Sequence, residues 1–173
     1  TGCMLAVIKS LLSSEVIIPI SNIFIITGLS SIDWINDTKS RMPGNLRNNI
    51  FHRGTLKNLI HALKNKYNCL ILIDEIQIGG ESIHTIAKIF EEIGLFDINY
   101  LYSKNIKIVQ FTATPDGHLY DILNWGHMSA IVRLNPGIGY ISAYDLFQSG
   151  RVKQYKSLYD VKAIMEIKTI LFS

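Results

Sequence analysis

Short apolar blocks that stop abruptly at polar or glycine-containing turns constrain this chain more than any other feature. The sharpest is Leu70–Ile73, four consecutive aliphatic side chains followed at once by Asp74-Glu75. A strand with one face in water alternates apolar and polar residues, whereas one that is apolar at successive positions has to be covered on both faces. Asn22–Ile26 and Lys107–Phe111 have the same character, Asn49–His52 is a shorter version, and Ala130–Leu134 predicts a last strand. Segments of helical period lie between them. Gly2–Leu12 is apolar on nearly every side and is expected to be buried. A second helix runs from a cap at Ser30 or Ser31 to Met42 and is stopped by Pro43-Gly44; a third, Leu56–Tyr67, has Thr55 as its cap. Ser82–Ile93 is amphipathic and ends at Gly94, and Asp116–Leu123 predicts a short helix. This alternation predicts an α/β domain whose mainly parallel sheet is flanked by helices. In such sheets ligands sit beyond the carboxyl ends of the strands, which directs attention to the residues just after each apolar block.

Composition narrows the choices further. The chain has 173 residues, enough for one domain with a real core. With 48% hydrophobic and 18% charged residues it is neither a disordered tail nor a polar linker. A net charge of +3 is too small to require a nucleic-acid partner by itself. Two cysteines, Cys3 and Cys69, are too few for a disulfide framework or a cysteine-built zinc site. Both lie in apolar runs, which predicts buried thiols in a reducing compartment, cytoplasmic or nuclear. The longest uncharged stretch, Val16–Ile32, is interrupted by Pro19, Gly28 and several serines, so no membrane partner is expected. From about Asn135 the character changes to Gly, Tyr and turn residues. The expected organisation is therefore one α/β lobe over residues 1–135, with an exit linker and the start of a new element at Val161–Phe172 making up residues 136–173. The chain opens at Thr1 rather than Met and in mid-pattern, and it reads as a piece of a longer protein.

Three stretches carry chemistry. Leu70–Gln77 (LILIDEIQ) delivers two adjacent carboxylates at the end of an apolar strand. Phosphoryl transfer needs one carboxylate to hold Mg²⁺, directly or through water, and a second to orient or deprotonate the attacking water. Asp74 suits the first role and Glu75 the second; an acidic turn after a strand is the alternative. Phe111–Pro115 (FTATP) places the hydroxyls of Thr112 and Thr114 at the same end of the sheet, although Thr-rich turns before proline are also common. Thr1-Gly2 precedes a helix, and Thr1 stands where the final hydroxyl residue of a phosphate-binding P-loop would stand. Taken alone, such a terminus carries no information.

In this order and spacing, residues 1–135 resemble the first RecA-like lobe of a superfamily 2 helicase or translocase. The likeness is greatest to the type III restriction/DEAD-like helicase group of phages and large DNA viruses. Thr1 matches the end of motif I. Thr27-Gly28-Leu29-Ser30-Ser31 matches the motif Ia region, Asp74-Glu75-Ile76-Gln77 matches motif II in a DExQ form, and Thr112-Ala113-Thr114 matches motif III. The resemblance implies a three-layer P-loop NTPase lobe without its first strand and most of its P-loop. It implies ATP and Mg²⁺ as cofactors, with Thr1, Gly2, Asp74, Thr112 and Thr114 at the nucleotide and Thr1 and Asp74 at the metal. Glu75, Asp74 and Gln77 take the catalytic roles, and Gln77 replaces a more usual histidine with a group that does not titrate. The partners it implies are DNA or RNA, with DNA favoured, and a second RecA-like lobe of the same parent chain; the setting it implies includes a virus. Lacking the motif I lysine, this chain is expected to bind ATP poorly and to unwind nothing alone. Alternative readings are the motor subunit of a restriction or DNA-packaging complex, and a non-catalytic nucleic-acid-binding module with a decayed nucleotide site.

Two loops are candidates for the phosphate backbone of a nucleic acid. Gly28, Ser30 and Ser31 follow a strand and open a helix, so backbone N–H groups, a helix dipole and hydroxyls converge there; a plain serine cap is the alternative. Arg53, Gly54 and Thr55 hold the matching position one strand later, beside His52, which is expected to pack or cap rather than bind metal. Lys39, Arg41 and Arg47 read as a solvated helix face, and Trp34 and Trp125 as packing residues.

Overall fold

The computed structural model describes residues 2–13, 18–29, 31–74, 80–112, 128–132, 134, 137, 139–151, 162, 164, 165 and 168. The chain divides into two compact units, Thr1–Ser129 and Ala130–Ser173. The first contains α1 (Gly2–Leu12), β1 (Ile23–Thr27), α2 (Ile32–Arg41), β2 (Ile50–His52), α3 (Lys57–Leu63), β3 (Cys69–Asp74), α4 (Gly80–Ile93), α5 (Ile98–Lys104) and β4 (Ile106–Phe111). The strands form one sheet in the order β2-β1-β3-β4, and every pairing is parallel. The protein is therefore of the α/β class.

Burial explains the sheet. In β1 all five residues are buried, and in β3 the first five. Alternate side chains feed two separate cores. Phe24, Ile26, Ile71 and Ile73 face one side, where α3 contributes Leu59 and Leu63 and α4 contributes Ile86, Ile89 and Phe90. Ile23, Ile25, Leu70 and Leu72 face the other, against Met4 and Ile8 of α1 and Met42 and Leu46 beyond α2. Each of these aliphatic side chains contributes about 1.5–3 kcal/mol by leaving water. An uninterrupted apolar strand is what a sheet covered on both faces requires.

The connections set the topology. The β1–β2 connection moves toward one edge of the sheet, and its Trp34, Met42 and Leu46 pack on the face shared with α1. The β2–β3 and β3–β4 connections move toward the other edge, with α3 and α4 on the opposite face. Opposite directions on opposite faces are what a single crossover handedness demands.

Most expected elements lie within a residue or two of where sequence periodicity places them, and the exceptions have physical reasons. α1 is not buried on all sides: Met4 and Ile8 are buried, whereas Leu12 is 45% exposed and Cys3 is exposed. The expectation of two buried thiols holds for Cys69 alone. Thr55 does not cap α3. Its hydroxyl closes a capping box with His52 around the 3-10 turn Arg53–Thr55, and α3 begins at Lys57 and ends at Leu63. α5 escapes a search for hydrophobic period because it is short; Asp97 starts it by accepting from the Asn99 and Tyr100 N–H groups. Ala130–Leu134 forms no strand among its described residues, and Ile131, Val132 and Leu134 are exposed. Val and Ile there express propensity without a sheet to join. The expected helix at Asp116–Leu123 lies outside the described residues.

The second unit holds α6 (Ala143–Gln148), where an irregular segment was expected. Ser142 and Asp145 form a reciprocal capping box at its start, and Ser142 holds the Asp145 carboxyl below its ordinary range. Lys162, Ile164, Met165 and Lys168 are helical.

Candidate functional site at the carboxyl rim of the sheet

Parallel pairing brings the ends of the four strands into one row. Thr27 is in register with His52 on one side and Asp74 on the other, and Asp74 is in register with Phe111. Residues separated by up to 84 positions in the chain, Thr27 and Phe111, thus end at a single rim. Thr112 follows directly. The connection leaving β1 goes to one face and the connection leaving β3 goes to the other. Adjacent parallel strands whose outgoing loops part in this way leave a crevice between them, and ligands of open α/β sheets occupy that crevice. Its two walls begin at Thr27-Gly28 and at Asp74. Asp74 is half-buried and Thr27 is fully buried.

The β1 wall is built by hydrogen bonds. The Leu29 N–H donates to Thr27 Oγ1 at 3.2 Å, which turns the chain sharply after the strand. Ser31 is the cap of α2, its Oγ accepting from the Trp34 N–H at 3.2 Å. Trp34 packs against the core beneath. The Ser31 oxygen thus serves the helix, and its hydroxyl proton remains a donor. Ser30 lies outside the described residues.

The β2 wall is more tightly tied. The Gly54 N–H donates to His52 Nδ1 at 3.2 Å, and Thr55 Oγ1 accepts from the His52 N–H at 3.1 Å and donates to the His52 carbonyl at 3.3 Å. A Cβ on Gly54 would lie 2.8 Å from the imidazole Cε1, so the close approach of ring and backbone requires glycine. His52 is a capping histidine. The Gly54 amide and Thr55 hydroxyl are already engaged by it, and a phosphate there would compete with the imidazole. The Arg53 N–H donates to the Leu29 carbonyl at 3.5 Å, joining the β1 and β2 loops into one surface. Lys39 and Arg41 lie on α2, where Arg41 pairs with Asp37 at 2.9 Å on an exposed face; Arg47 Nε donates to the Met42 carbonyl at 3.2 Å.

Among the sequence candidates, the structure brings Gly28, Ser31, Arg53, Gly54, Thr55, Asp74 and Thr112 to this rim. Gly2 opens α1, which packs Met4 and Ile8 on the β1/β3 face of the sheet. Thr1, Glu75, Gln77 and Thr114 lie outside the described residues. Sequence reasoning placed Thr27 in this segment but missed its hydroxyl as the acceptor that turns the chain after β1. Its signal was a lone threonine ending an otherwise apolar block. A Mg²⁺ ion keeps most of its waters and takes one or two protein carboxylates, so a single half-buried aspartate at a crevice fits it. Among the described residues no three His, Cys, Asp or Glu side chains cluster as a protein-only metal cage. No described helix is long and apolar enough to cross a membrane.

The class that fold and rim define is an α/β protein with a switch-point crevice. No family model, curated protein or solved structure gives a significant match to the chain.

Proposed function

We propose that this chain is the first RecA-like lobe of a superfamily 2 helicase or translocase, coupling Mg²⁺-dependent ATP hydrolysis to movement on DNA or RNA. The observation that supports the reading is the register Thr27–Asp74–Phe111, which brings to one rim the strand ends from which the segments resembling motifs Ia, II and III continue, where an α/β sheet takes its ligand. Asp74 fixes Mg²⁺ through a water or directly, and the bound ion supplies charge neutralisation to the phosphates. Glu75 orients and deprotonates the attacking water. Gln77 and the hydroxyls of Thr112 and Thr114 link this loop to the neighbouring strand end by neutral hydrogen bonds. Thr1 and Gly2 contribute to holding the nucleotide phosphates. Gly28, Ser30 and Ser31, with Arg53 tied to the same surface, hold the nucleic-acid backbone; DNA is the favoured polymer. A second RecA-like lobe in the parent chain completes the motor.

Two measurements test the reading. Steady-state ATPase of the parent chain with single-stranded DNA should fall at least a hundredfold in Glu75→Gln, the scale of losing a general base. In the parent chain, Asp74→Asn should remove the Mg²⁺-dependent part of nucleotide binding while its melting temperature without nucleotide stays close to that of the original. Full turnover in Glu75→Gln removes the general-base assignment. A parent without turnover in the presence of nucleic acid favours a non-catalytic nucleic-acid-binding module.

A further inference from the structure

The opposite end of the sheet has its own chemistry. Each strand is entered from an asparagine: Asn22 before β1, Asn49 before β2, Asn68 before β3 and Asn105 before β4. Asn68 and Asn105 adopt left-handed backbone conformations, φ 52° and 50°, which asparagine tolerates better than other side-chain-bearing residues. Three lysines are fastened into this row by neutral groups. Lys66 Nζ donates to Asn22 Oδ1 at 2.9 Å and to the Ser21 carbonyl at 3.2 Å. Lys107 Nζ donates to Asn105 Oδ1 at 2.9 Å, and Asn105 Nδ2 donates to Asn68 Oδ1 at 2.8 Å. Lys104 Nζ sits 3.8 Å from the ring centroid of Tyr67, whose carbonyl accepts from Asn22 Nδ2 at 2.8 Å. One string of contacts runs from Lys66 through Asn22 and Tyr67 to Lys104, a second from Asn68 through Asn105 to Lys107, and the Asn68 N–H joins them by donating to the Lys104 carbonyl at 2.9 Å.

The partners in this network are carbonyls, amides and an aromatic ring. They fix the ammonium groups in position without cancelling their charge, in contrast to Arg41, which is paired with Asp37. Lys66 and Lys104 both lower the pKa of the buried Cys69 thiol, against the larger raising effect of burial, so their fields reach the same point at the start of β3. Each ammonium keeps further N–H donors. Tyr67 is 55% exposed among them, with the Lys104 ammonium over one face of its ring. Prepositioned cations around an exposed aromatic ring match a phosphodiester backbone with unstacked bases, since cations track the phosphates and the ring offers a stacking platform. An acidic protein face would use the charges and leave the ring without a role.

We propose that this amino rim is a binding surface for single-stranded nucleic acid, at the end of the sheet opposite the crevice and independent of nucleotide hydrolysis. The test is fluorescence anisotropy of a labelled oligothymidylate with the 173-residue chain, over a range of salt and without ATP. Combined Lys66→Gln, Lys104→Gln and Lys107→Gln should lower the slope of log affinity against log salt by about 2, at ~0.7 per lost single-strand phosphate contact. The matching Lys→Arg triple should keep the slope, which separates lost charge from lost folding. Tyr67→Leu should weaken binding about fivefold or more, the scale of one base–aromatic stack. Unchanged affinity and slope in the Gln triple overturns the proposal. So does displacement of the oligonucleotide by polyglutamate at equal charge, which would assign the surface to an acidic protein. Arg53→Gln on the carboxyl rim is the separating arm. Loss of binding there, with the Gln triple unaffected, sinks this inference and leaves the helicase reading standing. Loss in the triple, in a parent without ATPase activity, does the reverse.

Discussion

The two rims of the sheet are made from the same four strands yet differ in kind. At the carboxyl rim the chain leaves the sheet through Thr27-Gly28, His52-Arg53, Asp74 and Thr112, where hydroxyls, one imidazole and a carboxylate meet. At the amino rim it enters through four asparagines and three fastened lysines. Loops that leave adjacent strands for opposite faces open a crevice. Loops that enter neighbouring strands from the same face can be tied to one another, as the Asn68–Asn105 pair before β3 and β4 shows at 2.8 Å. The difference teaches that one sheet can carry a shaped cleft at one end and a charged platform at the other, because direction is common to all parallel strands.

The change that should damage both rims most is in the strand they share. Leu72 is fully buried in the middle of β3, with β1 on one side and β4 on the other. Leu72→Ala should cost about 2–5 kcal/mol, the range for a buried leucine truncated to alanine. Urea unfolding measures it. A loss under 1 kcal/mol would mean that β3 is not the centre of a packed sheet, and the alignment of both rims would lose its basis.

A smaller effect isolates the carboxyl rim. Gly54→Ala puts a methyl group 2.8 Å from the His52 ring, and the ring has to turn away from the Gly54 N–H. The lost hydrogen bond should cost about 0.5–1.5 kcal/mol. In a His52→Ala background the same substitution should be close to neutral. Additivity in that double-mutant cycle would show that the two groups do not touch.

The amino rim has its counterpart in Asn68. Its left-handed backbone costs an ordinary L-residue roughly 1–2 kcal/mol, and its Oδ1 accepts from Asn105. Asn68→Gly should restore the backbone freedom and lose only the side-chain bond, so Asn68→Ala should be the less stable of the two. The opposite order, in thermal unfolding, would show that position 68 is not held in the left-handed region.

How much of this was legible in the sequence follows from which forces are local. The uninterrupted apolar runs at Ile23–Ile26 and Leu70–Ile73 encode burial on both faces, and with the intervening helical periods they point to a parallel sheet. The residues after each run, Gly28, Arg53, Asp74 and Thr112, could therefore be named as a rim before any strand was paired. Strand order could not: nothing in Asp74 or Thr27 announces that they are in register, because order depends on which face each connecting helix covers. The His52 capping box was hidden for a similar reason, since Thr55 before an apolar run reads equally well as a cap for the following helix. The asparagine row was missed because each residue taken singly is only a turn former, and their alignment exists only once the strands are side by side.

The smallest effect separates surface from interior through the two thiols. Cys3 is exposed on α1, whereas Cys69 is fully buried as the first residue of β3. Burial pushes the Cys69 thiol above its ordinary range, and Lys66 and Lys104 oppose that shift. A raised thiol pKa favours the neutral form in the folded state. Its contribution to stability is complete below the ordinary thiol pKa and is lost as pH climbs through the raised value. An aromatic disulfide reagent should therefore titrate one thiol in the native chain and the second only after unfolding. Removing the two ammonium groups by Lys66→Gln and Lys104→Gln leaves burial unopposed, so the alkaline loss of stability should begin at the same pH, continue to higher pH and become larger. An unchanged upper end to that loss would place the lysines too far from β3 to form the platform at its amino end, and equal native reactivity of both cysteines would show that Cys69 is not buried.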